Sequence, residues 1–211
     1  MSHIAIAGTS LDRICEAIAQ RGYAVETEFL PATVVASLRE DAMRRDAAGE
    51  FRPAAVGRGT ARTQGAGIRG DRIAWIDETQ TMPAVRPWWD ALERLRAALN
   101  QALYFGLFSF EGHYAIYPPG AFYQRHRDCF RGDDERVLSC VLYLNESWTE
   151  DDSGALRIYF DGGVVRDMLP TGGTLVCFLS DRFEHEVLPA KHERLALTGW
   201  FRRRSEDTSL P

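Results

Sequence analysis

The sequence predicts an α+β fold: a double-stranded β-helix, or jelly roll, with supporting N-terminal helices. Three observations carry this expectation. The first hundred or so residues place apolar side chains mostly at helical spacing. Beyond Tyr104 the texture changes to short β-rich runs separated by Gly, Pro and Asp. Those runs number about seven, as expected of a sandwich or barrel. With 211 residues, 45% of them hydrophobic and 26% charged, the chain has the length for one substantial core. We expect a single domain over 1–211, with 1–104 as mainly helical support plus a hairpin and 105–203 as the jelly-roll core.

Residues 11–20 put Leu11, Ile14, Cys15 and Ile18 on one helical face, and Gly22 stands just beyond as a stop. From Pro31, Val34, Val35, Leu38 and Ala42 repeat the pattern, which ends in Met43-Arg44-Arg45-Asp46 and then Gly49. Residues 57–70 are glycine-rich and basic. They lack the lysine of a Walker loop and the setting of a dinucleotide fingerprint, so a flexible loop or hairpin is expected, with an arginine-bearing lid as the sharper reading. An alternating apolar run over 69–76 predicts a strand. Pro87 begins a third helix whose stripe, Trp88, Leu92, Leu95, Leu99 and Leu103, is a core-packing pattern. The later strands are expected over 113–117, 122–128, 137–144, 155–160, 164–169, 174–179 and 195–202. Helices before and strands after give the α+β layout. A double-sheet roll buries residues between its sheets and leaves an open mouth where inward polar side chains can hold a metal.

A formal net charge of -5 argues against a nucleic-acid partner held by bulk electrostatics and leaves a basic peptide or protein partner open. No stretch approaches the length of a membrane span. The opening Met1-Ser2-His3-Ile4-Ala5-Ile6-Ala7-Gly8 lacks the basic start and long apolar run of a secretory signal, so a cytoplasmic location without membrane attachment is expected. Cys15, Cys129, Cys140 and Cys177 form no C-x-x-C pair and are expected as reduced structural thiols. Nothing fixes an oligomeric state, and a monomer is compatible with the sequence. His113 and His192 lack matching partners and read as structural or exposed, and Arg202-Arg203-Arg204 reads as a solvated tail.

Chemistry concentrates in Tyr123-Gln124-Arg125-His126-Arg127-Asp128. In a strand, residues two apart face the same side, so His126 and Asp128 can reach one ion together. An H-x-D pair alone is a weak signal that also arises by chance. The third ligand is expected from a strand near the C-terminal part of the roll, and His185, in Ser180-Asp181-Arg182-Phe183-Glu184-His185-Glu186-Val187, is the natural choice. Two histidines and one carboxylate are the facial set of non-haem Fe(II) oxygenases, which leaves positions open for cosubstrate and dioxygen. Nine residues on stands Arg194. Inside the roll its guanidinium can bind the far end of a dicarboxylate as a bidentate pair, which lysine does less specifically. Either histidine taken singly reads as a core or surface residue, and Tyr117 and Tyr143 as sheet aromatics.

The order H-x-D, His, Arg resembles the 2-oxoglutarate- and Fe(II)-dependent dioxygenases. Tyr143-Leu144-Asn145, Gly154-Ala155-Leu156-Arg157-Ile158, Ser180-Asp181-Arg182 and His185-Glu186-Val187 closely resemble the prolyl hydroxylases that act on hypoxia-inducible factor, and their bacterial relatives, within a likeness over about 69–201. The resemblance implies His126, Asp128 and His185 as iron ligands and Arg194 as the anchor of the 2-oxoglutarate 5-carboxylate. By the same resemblance Tyr143 hydrogen-bonds that carboxylate, and Tyr117 and Thr198 line the cosubstrate pocket. It implies Fe(II), 2-oxoglutarate and O2 as metal, cosubstrate and oxidant, with ascorbate as a candidate reductant. The loop over 58–69 matches the family's substrate-covering hairpin, and Arg58, Arg62, Arg69 and Arg125 are the candidate substrate contacts.

The activity implied is hydroxylation of a target proline in a protein or peptide, coupled to oxidative decarboxylation of 2-oxoglutarate to succinate and CO2. Two alternatives stay open: a hydroxylase of a free amino acid or other small molecule, and a non-catalytic cupin-like metal-binding or sensor protein, which has no need of Arg194. Nucleic-acid demethylases usually carry a second arginine six residues after the first, where this chain has Trp200. The chain also departs from the animal hydroxylases. Its loop from Tyr117 to His126 is one residue shorter, and Gly154-Ala155-Leu156 replaces a Gly-Gly-Ile-Leu run.

Overall fold

A computed structural model describes residues 8–56, 63–64, 67–77, 79, 83–129 and 135–204. Helix α1 (Gly8–Arg21) buries Ile14, Cys15 and Ile18 and stops at Gly22, whose φ of +81° is a left-handed turn that a side chain resists. Strand β1 (Tyr23–Glu26) follows, then α2 (Ala32–Ala47), which turns Val35, Leu38 and Ala42 inward. Short strands β2 (Arg52–Pro53), β3 (Ala55–Val56) and β4 (Thr63–Gln64) lead to β5 (Arg72–Ile76). Helix α3 (Arg86–Leu103), with Pro87 in its first turn, buries Trp88, Leu92, Leu95 and Leu99, the stripe read from the sequence. Each of those leucines contributes about 1.5–3 kcal/mol by leaving water.

The second half supplies strands joined by loops and two short 3-10 turns: β6 (Ser109–Tyr117), β7 (Tyr123–His126), β8 (Arg136–Tyr143), β9 (Leu156–Tyr159), β10 (Val165–Met168), β11 (Leu175–Leu179), β12 (Glu184–Val187) and β13 (Arg194–Arg202). Seven strands form the larger sheet, in the order β1-β11-β8-β13-β6-β5-β2, and four form the smaller, β10-β9-β12-β7. This is the jelly-roll core, and β3 pairs with β4 antiparallel as a separate hairpin.

The layers explain the sequence texture. Along β8, Leu138, Cys140 and Leu142 pack with the helices, while Val141 and Tyr143 join the core between the sheets. A strand covered on both faces reads as an unbroken apolar run, without alternation. A buried polar tie joins the helical layer to the sheet: Tyr114 on β6 donates to Asp41 of α2 at 3.1 Å, and Arg45 donates to the same carboxylate oxygen at 2.9 Å. None of the four cysteines forms a disulfide, although Cys140 and Cys177, cross-strand partners, bring their Sγ atoms to 3.3 Å. No helix among the described residues is long and apolar enough to cross a membrane.

Several expectations need correction. Helices do not simply precede strands, because β1, β2 and β5 are all members of the larger sheet. β1 has four residues, too few to show a period, and becomes a strand by pairing with β11. β12 was given no bounds among the expected strands, although His185 was expected from a strand near the C-terminal part of the roll; His185 and Val187 are its buried positions. β7 ends at His126, so Asp128 lies past the strand, where the chain bends. Arg202 is no tail residue: it closes β13 and pairs with Glu111 and Glu135.

Candidate metal and cosubstrate site

His126 and His185 face each other across the β7–β12 pair, where they are register partners with ring centroids 4.3 Å apart. The bend after β7 then carries Asp128 back between them. Its Oδ1 lies 3.5 Å from His126 Nε2 and its Oδ2 3.6 Å from His185 Nε2. One ligand atom from each residue falls within 4.8 Å of the others, so the three can share an ion.

The backbone prepares both imidazoles. His126 Nδ1 is 2.8 Å from the carbonyl of Gln124, and His185 Nδ1 is 3.4 Å from that of Phe183. A carbonyl only accepts, so each Nδ1 carries the proton and each Nε2 keeps its lone pair for a metal. Tyr123 stacks on His126 at 3.6 Å between centroids, and Phe178 flanks His185 at 4.7 Å. Burial pushes the His185 imidazole down to about 4, against the pull of Asp128, so it is a neutral donor at neutral pH. Burial alone would raise Asp128, but His185, His126 and the hydroxyl of Ser139 outweigh it and hold the carboxyl well below its usual range. A ready carboxylate and two imidazoles that turn Nε2 toward it are the donor set of a facial Fe(II) site.

Arg194 opens β13 and is the register partner of Tyr117 on β6. It is 2% exposed, yet no carboxylate among the described residues pairs with it; its Nε donates to the carbonyl of Gly154 at 3.0 Å. Gly154 has a φ of +74°, and a Cβ there would stand 2.6 Å from that of Ala190, so the anchor for Arg194 requires glycine. The guanidinium carbon is 5.1 Å from the ring centres of both Tyr117 and Tyr143, and the buried Tyr143 hydroxyl has no hydrogen-bond partner. A buried cation without a counter-ion beside an unpartnered hydroxyl suits a carboxylate ligand.

Arg194, Tyr117 and Thr198 line the same cavity as the His126, Asp128 and His185 cluster, a space of about 440 Å³, and Tyr143 stands behind its wall. The candidate substrate arginines separate. Arg69 lines the cavity, forms a bidentate pair with Asp71 at 2.7 and 2.6 Å, and lies over the Tyr123 ring. Arg125 is not brought to the cavity: it pairs with Glu184 and lies over Tyr159, while Tyr123 and His126 both line the cavity, a facing that goes with the irregular register of β7 on β12. Arg58 and Arg62 lie outside the described residues. His113, expected as structural or exposed, lines the cavity wall between Trp75 and Trp200, buried and with Nδ1 unpartnered. Ser139 was missed, and Tyr123 and Gly154 were named only within their motifs, without the bracing and anchoring parts they play.

The model of the 2OG-Fe(II) oxygenase superfamily matches residues 112–202. A crystal structure of a Pseudomonas putida prolyl-4-hydroxylase is 49% identical, with a TM-score of 0.84, and the match covers 92% of this chain and 100% of that one. The chain belongs to the 2OG-Fe(II) oxygenase superfamily. A prolyl hydroxylase of Trichoplax adhaerens, in complex with a hypoxia inducible factor peptide fragment, is 27% identical with a TM-score of 0.81, covering 91% of this chain and 88% of that one. Mouse prolyl hydroxylase EGLN3 is 34% identical over 141 residues, 64% of this chain. The chain spans 59% of the length of that relative, and 33% of the length of human Egl nine homolog 1, which it matches at 33% identity over 64% of its own length. The superfamily's metal and cosubstrate are Fe(II) and 2-oxoglutarate, and the donor set and the unpaired Arg194 fit both.

Proposed function

We propose that the protein is an Fe(II)- and 2-oxoglutarate-dependent prolyl hydroxylase acting on a protein or peptide, as one oxygenase domain at work in the cytoplasm. The observation that carries this reading is the shared cavity: a ligand triad and a buried, carboxylate-free Arg194 open on one space. His126, Asp128 and His185 would hold the iron through Nε2, a carboxylate oxygen and Nε2. Arg194 would take the 5-carboxylate of 2-oxoglutarate, and Tyr143 and Tyr117 would close around it. Burial raises both phenols above their ordinary value, so they stay protonated and can donate. Iron with 2-oxoglutarate and dioxygen supplies the oxidant that hydroxylates an unactivated C–H bond while 2-oxoglutarate becomes succinate and CO2. The chain's own part is placement and exclusion of water: Tyr123 and Phe178 brace the imidazoles, and Arg69 with its partner Asp71 walls the side toward the hairpin.

A proline-bearing substrate is supported by the likeness to the Pseudomonas putida prolyl-4-hydroxylase and the EGLN prolyl hydroxylases. The test is succinate release from 2-oxoglutarate with Fe(II), alone and with cell-extract proteins, followed by mass spectrometry for one added oxygen on proline. Iron-dependent turnover with no oxygen on any peptide would replace this reading with a small-molecule hydroxylase. Metal binding without any turnover would replace it with a sensor.

A further inference from the structure

Two serines stand behind Asp128, and neither lines the cavity. Ser139 is 1% exposed on β8, flanked by Phe178 of β11 and Trp200 of β13; Ser180, just past β11, is 0% exposed. Ser139 Oγ donates to Asp128 Oδ2 at 2.7 Å. Its single proton is thereby used, so the 2.9 Å contact between the two hydroxyls runs from Ser180 to Ser139. The hydroxyls form an aligned chain that ends on one oxygen of the carboxylate.

That chain distinguishes two oxygens that distance does not. Oδ1 and Oδ2 lie 3.5 and 3.6 Å from the imidazole nitrogens they approach. Only Oδ2 carries the serine, and drawing it onto an ion stretches a charge-assisted bond that attachment through Oδ1 alone keeps. We propose that Ser139, backed by Ser180, is a positioning residue that holds Asp128 to the metal through Oδ1 only. This rests on the reading of the site as an Fe(II) and 2-oxoglutarate centre and adds a reason for its openness. A carboxylate attached through both oxygens takes a fourth place of the octahedron and leaves too few for a chelating cosubstrate and dioxygen together.

The test uses the full chain with Mn(II) in place of iron, reading affinity from the electron paramagnetic resonance of free Mn(II) and exchangeable waters from water-proton relaxation. The parent is expected to show about three exchangeable waters, Ser139→Ala about two, and Ser139→Thr, which keeps the hydroxyl, about three again. Ser180→Ala moves the count the same way and decides the matter if Ser139→Ala does not fold. A Ser139→Ala protein with the parent's water count overturns the proposal, including when its melting temperature falls, since that is what a merely structural hydroxyl predicts. A parent that binds no Mn(II), or binds it equally well after His126→Ala, overturns instead the reading of the metal site.

Discussion

Replacing Arg194 by methionine separates what the guanidinium does for a ligand from what it does to the fold. In the ligand-free protein Arg194 is a buried cation whose one described hydrogen bond goes to the carbonyl of Gly154. Losing that bond costs about 1 kcal/mol, and release of an unpaired buried charge offsets it, so stability should change by no more than about 1 kcal/mol. With 2-oxoglutarate the balance reverses. Removing one partner of a desolvated charge pair costs about 3–5 kcal/mol, roughly two to four powers of ten in Kd. At a cosubstrate concentration about 100 times the parent's Kd, binding stabilises the parent by about 2.7 kcal/mol and the variant by about 0.4 kcal/mol or less. For a chain of 211 residues about 1 kcal/mol moves Tm by roughly 2–4 °C, so a shift of about 5–10 °C should shrink to about 1 °C. Thermal melts with Mn(II), with and without 2-oxoglutarate, read this directly. A variant that keeps the full 2-oxoglutarate shift, or loses the Mn(II) shift as well, would show that Arg194 is not the anchor.

Other outcomes follow from the same geometry. His126→Ala and Asp128→Ala each remove one of three ligands and should weaken Mn(II) binding by at least about tenfold and abolish succinate formation; intact turnover in either variant would refute the metal site. Burial, helped by Arg69 and Arg136, pushes His113 from 6.5 down to about 3. Between those values the unfolded chain binds a proton that the folded one does not. Its contribution to stability is therefore complete above about pH 6.5 and lost as pH falls toward 3, at up to about 1.4 kcal/mol per pH unit. Urea unfolding across that range should show the slope, and His113→Phe should flatten it; an unchanged slope would mean His113 charges freely when folded. Leu95→Ala in α3, at a fully buried position, should cost about 2–5 kcal/mol in the same assay, and a cost below about 1 kcal/mol would contradict the packing of α3 on the sheet.

The α3 stripe was legible because a helix repeats its burial every few residues, and Trp88, Leu92, Leu95 and Leu99 display that repeat. β1 was not, and β12 was given no bounds; each becomes a strand through its pairing, β1 with β11 and β12 with β7 and β9. Which residues of β7 face the cavity was not legible, because Tyr123 and His126 both do so through a register irregularity against β12 that simple alternation does not give.

By itself the sequence determined the chemical inventory: two histidines, a carboxylate and an arginine in a recognisable order, set in a β-rich half that could enclose them. Residue type and spacing carry that much, since they decide which donors exist. Only the tertiary structure decided how the donors meet. Asp128 reaches the imidazoles because the chain bends after β7, His126 and His185 face each other through the register of β7 with β12, and Arg194 is left without a counter-ion because Gly154 offers only a carbonyl. Ser139 and Ser180, 41 positions apart, become one hydrogen-bonded chain behind Asp128 only when β8 and β11 pair. Such contacts lie between strands distant in the chain, so their geometry is written in pairing and burial, which no local pattern of residues records.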